Sequence, residues 1–436
     1  MSGAAPVSIT KSLQQITADR VVALTILVSA LGYFVDIFDL LLFSIVRVPS
    51  LKDLGVGQAD LLSMGIRLLN IQMAGLLVGG FIWGVIGDKY GRVSVLFGSI
   101  LLYSIGNIGN GFVHSVDQYA LLRFLTGFGL AGELGIGVTL ASELLPKEIR
   151  GLGATFISFI GIMGATLAYY ISATMGWRDA YILGGILGLG LLILRLNICE
   201  SGMYHQMEKK ENKSSRGNIL LFFKNPELLK KYLMVVLIGA PIWATVAIFI
   251  TFSPEFAKEF GMTTLPDPGK AVMFCYGIQA IAGFFIGIIS QKLQSRKKAI
   301  LLSIVLLIIA TFLFVTVRTN SLTVFYALCG AMGIGGAYWA MFVQVGAEQF
   351  GTNIRATAAT SIPNVVRGSV IPMTAGFHVM IKGMDFQVLS GIHIIIPALG
   401  VTASGVTIMA TAITLALVSL WNMSETFHVD LDYIEG

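Results

Sequence analysis

Five ionisable side chains sit inside long apolar stretches of this chain: Asp36, Asp39, Arg123, Glu133 and Arg367. A charge held in a hydrocarbon setting costs roughly 2.5–3.5 kcal/mol or more, so such groups are candidates for function. An aspartate beside an arginine stays ionised, whereas the same aspartate unpaired in apolar surroundings takes up a proton. At about 1.5 Å per helical residue, Asp39 lies about 26 Å along the first apolar stretch. By the same rise Arg123 lies about 6 Å from the start of the fourth, which runs the opposite way, so the two reach a common level. That spacing suits proton-coupling chemistry, in which protonation of Asp39 frees Arg123. A static buried ion pair fits the same spacing.

Arg367 falls in Pro363-Asn364-Val365-Val366-Arg367-Gly368, with no neutralising acid near it in sequence. Its planar fork of donors suits a carboxylate or phosphate, so Arg367 and Asn364 are candidates for binding an anionic substrate. Pairing of Arg367 with Asp36 or Glu133 is the alternative. Glu133 is suited to relaying protons, to coordinating a substrate or to pairing with an Arg or Tyr. Tyr169, Tyr170, Tyr338 and Trp339 could line a cavity, and aromatic residues in such stretches also serve as packing and interface anchors. The three cysteines, Cys199, Cys275 and Cys329, have neither pair nor metal-ligand spacing, so no disulfide framework, metal site or cofactor is expected. Gly127-Phe128-Gly129-Leu130-Ala131-Gly132 matches a dinucleotide fingerprint in form alone, because that motif needs a preceding strand. These glycines, like Gly75-x-x-x-Gly79, suit close helix packing.

The elements that must hold these groups follow from composition. Hydrophobic residues are 55% of the 436 positions and charged residues only 12%, far from a soluble domain. Apolar runs near 22–46, 68–87, 93–113, 119–144, 152–175 and 178–197 are followed by a polar stretch. A second set lies near 232–254, 271–290, 299–317, 322–346, 357–380 and 392–421. Each is long enough to cross a bilayer as a helix. The reading is an all-α membrane protein of twelve transmembrane helices in two six-helix bundles, residues 1–198 and 232–436, joined by a cytoplasmic linker at 199–231. With the first residues inside, 18 Lys and Arg fall on the inner side, 8 outside and 3 within spans, which places both termini in the cytoplasm of a cell (inner) membrane protein. The same bias accounts for the basic balance, and no nucleic-acid partner is expected. No cleaved signal peptide is expected in residues 1–20.

The halves repeat. Ser142 to Gly151 after span four is echoed by Ala347 to Ala356 after span ten, with Glu143 and Arg150, and then Glu348 and Arg355, each seven residues apart. Such repetition marks a chain built from two equivalent units. The loop after span two reads Gly84-Val85-Ile86-Gly87-Asp88-Lys89-Tyr90-Gly91-Arg92. Asp88 and Arg92 place opposite charges at helix ends, and Gly84 and Gly91 allow a tight turn, so with Glu143, Arg150, Glu348 and Arg355 they form a candidate cytoplasmic gate.

This loop resembles the signature of the major facilitator superfamily. Within it, Arg123-Phe124-Leu125-Thr126-Gly127 leading to Glu143 and Arg150, Glu200-Ser201 with Ser424-Glu425-Thr426, and Asp36-Ile37-Phe38-Asp39 are similar to the sugar-porter and aromatic-acid/proton symporter branch. Span seven and span five lack the glutamines that sugar porters use on hydroxyls. The resemblance implies a monomeric secondary transporter in the lipid bilayer, carrying a small-molecule substrate with protons by alternating access. It favours symport of a small organic anion, leaving open uniport or proton antiport of a sugar, organic cation or zwitterion, and a non-transporting membrane sensor. No nucleophile and base constellation of an enzyme is present.

Overall fold

A computed structural model describes residues 20–90, 92–132, 150–198, 225–351, 354–389 and 392–427. In lipid no water can satisfy exposed backbone amides, so apolar segments must close their hydrogen bonds internally as helices. The first half contains α1 (Arg20–Asp53), α2 (Leu61–Tyr90), α3 (Arg92–Asn110), α4 (Val116–Leu130), α5 (Arg150–Ile162), α6 (Gly164–Met175) and α7 (Trp177–Ile198). The second begins with α8 (Pro226–Ala244), a π-helical turn (Thr245–Ile250), α9 (Ser253–Glu259), α10 (Pro268–Leu293) and α11 (Arg296–Thr316). It continues with α12 (Leu322–Gly335), a 3-10 turn (Gly336–Tyr338), α13 (Trp339–Glu348), α14 (Arg355–Gly368), α15 (Val370–Lys382) and α16 (Gly400–Asn422). Among the described residues nine helical segments are long and apolar enough to cross a membrane. The α3 helix, α4 and the α14–α15 pair supply the remaining crossings of a twelve-helix all-α architecture.

Local sequence explains where these helices start. Ser115, Asn225, Asp267, Ser295 and Ser321 each cap a helix by accepting backbone N–H groups of its first turn. Span seven begins at Pro226, earlier than the apolar run suggests, because Asn225 accepts from the amides of Glu227 and Leu228 and Pro226 needs no such partner. Lys230 and Lys231 are therefore helical, and the expected linker loses its last residues to α8.

Three further departures matter. The first helix runs on to Asp53, past the expected end at 46, and carries Arg47 inside it. Spans five, seven, ten and eleven are interrupted, at Met163, at the π-helical turn, at the 3-10 turn and at Ser369. The last span starts at Gly400 instead of 392, because Met384–Leu389 (β1) pairs antiparallel with Ile392–Ile396 (β2). The run Ile394-Ile395-Ile396 favours a strand, and Ile396 precedes Pro397, which disfavours helical backbone there.

Within the first half α2 and α4 approach backbone to backbone. A Cβ added at Gly75 would meet the carbonyl oxygen of Phe124, and one at Gly127 that of Gln72, the close packing expected of small residues. The two halves meet where α2 lies along α14 and α15, and where α5, α6 and α1 lie along α10. Exposed apolar residues such as Leu121, Phe285, Phe312 and Trp421 ring the outside, as a lipid-facing surface requires.

Gly127→Leu is expected to cost about 1–3 kcal/mol or more, because a backbone carbonyl cannot rotate away as a side chain can. Thermal unfolding in detergent checks this. The Tm falls for Gly127→Leu and holds for Gly190→Ala, where an added Cβ meets nothing within 4 Å.

Candidate functional site

The first half holds a buried polar pocket. Asp39 on α1 and Arg123 on α4 are both 0% exposed. Arg123 donates through Nη1 to the Tyr181 hydroxyl of α7 at 3.2 Å. That hydroxyl lies 2.7 Å from the Tyr119 hydroxyl. The guanidinium also lies over the rings of Phe43 and Tyr181, at 5.3 and 5.5 Å, a favourable place for a cation. Asp39 lies against Gly184 of α7, where any Cβ would strike its Oδ1. Both charges act electrostatically on the Tyr181 hydroxyl. The two residues matched by height in the sequence thus share one pocket.

A second cluster lies between the halves. Arg367, in the last turn of α14, is 1% exposed. Its Nη1 donates to Asn364 Oδ1 at 3.4 Å, and its guanidinium lies 5.8 Å from the ring centre of Trp243 and 5.9 Å from that of Trp339. Among the described residues its Nε and Nη2 have no hydrogen-bond partner, nor has Trp243 Nε1. Trp339 Nε1 donates across the interface to the Tyr33 hydroxyl at 2.6 Å. Asn364 Nδ2 donates to the carbonyl of Ala131 at 2.9 Å. Asp36, 2% exposed, acts electrostatically on both Tyr33 and Arg367.

Each central residue flanks a helix break. Trp243 precedes the π-helical turn, Trp339 follows the 3-10 turn, and Arg367 precedes Ser369. Breaks of this kind free backbone polar groups, and at membrane depth they are tolerated where the chain lines a cavity or is buried in protein. Trp243 and Tyr33 were not among the residues expected from sequence. The available signal was a tryptophan at mid-span instead of at the interfacial belt, next to Pro241.

The other aromatic candidates separate. Tyr338 is buried and donates to the carbonyl of Ile238 at 2.8 Å, tying span ten to span seven. Tyr169 packs beside Gly269 at the start of α10, and its ring partner Tyr170 is 55% exposed. Neither joins the Arg367 cluster through a hydrogen bond or ring contact.

On the face opposite the start of α1, the halves are bolted together. Arg47 is 0% exposed and its Nη2 donates to both carboxylate oxygens of Glu255, at 2.8 and 3.0 Å. It also reaches the carbonyls of Thr251 and Leu61, at 3.2 and 3.3 Å, and lies over the ring of Phe252. Ser44 accepts from Thr251 Oγ1 at 3.1 Å. Sequence reading placed Arg47 in a loop because the apolar run stops at Val46.

On the face where α1 begins, Gly84, Asp88, Arg92, Arg150 and Arg355 lie in helices, and their side chains fall outside the description; Gly91, Glu133 and Glu143 lie outside the described residues. Glu348 is described and buried, accepting from Gln344 Nε2 at 2.7 Å and pairing with Arg296 at 3.6 Å. Glu425 clamps the start of α11, accepting from Ser295 Oγ at 2.5 Å and from the amides of Arg296 and Lys297 at 2.9 and 3.3 Å. Burial raises the Glu425 carboxyl, and hydrogen bonds from Ser295, Arg296, Lys297 and Phe427 outweigh it, holding the group below its ordinary value.

Residues 23–375 match the family model of the Major Facilitator Superfamily, and the chain belongs to that superfamily. A Haemophilus influenzae protein described in general terms as a metabolite transport protein is 27% identical, covering 80% of this chain and 87% of its own. The 4-hydroxybenzoate transporter PcaK of Pseudomonas aeruginosa is 29% identical over 41% of this chain and 40% of its own. The crystal structure of a D-xylose–proton symporter superposes with a TM-score of 0.63 at 17% identity, covering 93% of this chain and 99% of that one. The protein is accordingly a multi-pass membrane transporter of small molecules.

Two outcomes follow from the ends of the molecule. Removing Arg47 leaves the Glu255 charge half-buried and unmatched, a loss of about 3–5 kcal/mol for buried pairs. Labelling of a Ser44→Cys reporter by a membrane-impermeant maleimide is expected to accelerate when Arg47→Gln is added, and an unchanged rate shows that the pair does not hold this face shut. A carboxyl whose folded value is depressed contributes above its unfolded value and loses that contribution as pH falls through the folded one. The Glu425 clamp is therefore expected to hold from neutral pH down through the ordinary carboxylate range and to loosen only in more acidic solution, whereas Glu425→Gln loosens it at neutral pH, both read by limited proteolysis after α16.

Proposed function

We propose that this transporter is a proton-coupled symporter of a small organic anion, a carboxylate carrying a flat or aromatic body, working by alternating access in an inner membrane with both termini cytoplasmic. The observation that carries the reading is the Arg367 guanidinium, buried between the halves with Nε and Nη2 unpartnered among the described residues and two indole rings beside it. A guanidinium edge donates two parallel hydrogen bonds to a carboxylate. The rings of Trp243 and Trp339 offer faces for a planar group, and Trp243 Nε1 a further donor. The 4-hydroxybenzoate named for one relative has this chemistry.

Proton coupling is assigned to Asp39 and Arg123, with Asp36 as the acid nearer the substrate. In the pocket of Phe43, Tyr119 and Tyr181, neutral and charged Asp39 differ strongly in solvation energy, so its protonation state and the position of Arg123 are linked. The ion pair of Arg47 and Glu255 closes the face opposite the α1 start, and Asp88 and Arg92 with Arg150 and Arg355 are assigned the gate on the other. The relation to a D-xylose–proton symporter is in fold, and Gln279 has its amide already committed to the carbonyl of Gly336 at 3.0 Å.

The test is uptake into proteoliposomes under an imposed pH gradient, with carboxylates, sugars, amines and nucleosides as the panel. An inward proton gradient is expected to drive accumulation of an aromatic carboxylate. Arg367→Gln should reduce its kcat/KM at least about tenfold, the equivalent of 1.4 kcal/mol, and Asp39→Asn should abolish gradient-driven uptake while leaving exchange. Carboxylate uptake indifferent to both substitutions overturns the assignment.

A further inference from the structure

Asn107, on α3, is 0% exposed, and neither its amide oxygen nor its amide nitrogen has a hydrogen-bond partner among the described residues. A buried carboxamide left this way costs about 1–3 kcal/mol, and satisfied partners are the rule for such groups. The residue is not alone. Ser104 Oγ, Asn110 Oδ1 and the Nε and Nη2 atoms of Arg123 are buried without partners among the described residues as well.

These atoms converge on one place. Ser104, Asn107 and Asn110 are spaced by three residues and line one side of α3. Asn110 Nδ2 donates to Thr126 Oγ1 at 3.3 Å, one turn along α4 from Arg123. On the other side, a Cβ at Gly185 of α7 would meet the backbone of Ser104 and Ile108, the residues that bracket Asn107. The neighbouring Gly184 faces Asp39. Asn107 thus occupies the wedge between α4 and α7 at the level of the Asp39 and Arg123 pocket. Two glycines in succession let α7 come this close to α3 and to Asp39.

We propose that Asn107 is a positioning residue for the proton switch: its amide holds ordered water that solvates Asp39 and Arg123 in a closed polar chamber between α3, α4 and α7. A carboxamide is suited to this because it donates and accepts at once, so one water can bridge to an anion and another to a cation. Buried waters typically make about three hydrogen bonds to otherwise unsatisfied groups, and the unpartnered atoms here supply that number. The inference rests on Asp39 being the protonated group. The groups that set its titration are Asp36 on α1, Arg123 and Tyr119 on α4, and Tyr181 on α7, with α3 contributing the uncharged Asn107.

The test needs no substrate. Infrared titration of the purified full-length protein in lipid, between pH 4 and 10, records the protonated-carboxyl band that Asp39→Asn removes. In Asn107→Leu, equal in side-chain heavy atoms and dry, the apparent pKa of that band is expected to rise by one unit or more, a tenfold change in proton affinity. Asn107→Ser, which keeps a hydroxyl and makes room for water, is expected to return it most of the way. An unchanged pKa in Asn107→Leu, or a Tm in detergent that rises in that variant, overturns the proposal, since a stranded amide with no bound water is better replaced by carbon. If no titrating band disappears in Asp39→Asn, the proton switch itself has failed, a separate result. Should Asn107→Leu not fold, Asn107→Val, smaller and equally without a polar atom, is titrated in its place under the same criteria.

Discussion

Ionic charge removed from water is the constraint on which the rest of this molecule depends. Among the described residues the three largest side chains that are fully buried are arginines, Arg47, Arg123 and Arg367, and a guanidinium of this kind cannot shed its charge by losing a proton. Each must be accommodated by what surrounds it. Arg47 has a carboxylate and two carbonyls, and among the described residues its Nε alone has no partner. Arg123 has a tyrosine hydroxyl and two aromatic faces. Arg367 has one weak contact with Asn364 and two indoles. The order runs from a cation paired with a carboxylate to two whose Nε and Nη2 are open among the described residues, and of those two it is Arg367 that lies between the halves.

The helical breaks serve the same end. An uninterrupted helix presents side chains at fixed steps and consumes its own carbonyls, so it offers a ligand little beyond what the rotamers reach. Interruptions in spans seven, ten and eleven bring Trp243, Trp339 and Arg367 together from three different helices. Hydrogen bonds from one half to the other, Trp339 to Tyr33 and Asn364 to Ala131, cross the interface on either side of that cluster. The centre is therefore defined by both halves, and neither contains it alone.

Much of this architecture was legible in the residues. Runs of twenty apolar positions translate directly into crossing helices, because lipid leaves the backbone no other option. Charges inside those runs pointed to Asp39, Arg123 and Arg367, and all three are buried. What escaped notice had physical causes. Arg47 closes an apolar run, and nothing local says that the helix continues and that Glu255, some two hundred residues on, will meet it. Trp243 looks like any aromatic in a span until a neighbouring helix brings Arg367 to it. The start of the last span was misplaced because hydrophobicity does not distinguish a strand from a helix, and there β-branching and Pro397 decide.

The contact between α2 and α4 carries a last implication. Where Gly75 and Gly127 bring main chain against main chain, no side chain intervenes that could adopt another rotamer, and such a joint has a single arrangement. The seam between α2 and the α14–α15 pair is different in kind, with Leu77 against Gly368 and Asn70 against Thr374, where side chains touch and can exchange neighbours. Rigidity is thus distributed unevenly by residue size: glycine welds the first half into a lever, and its fulcrum has to lie along the softer seam.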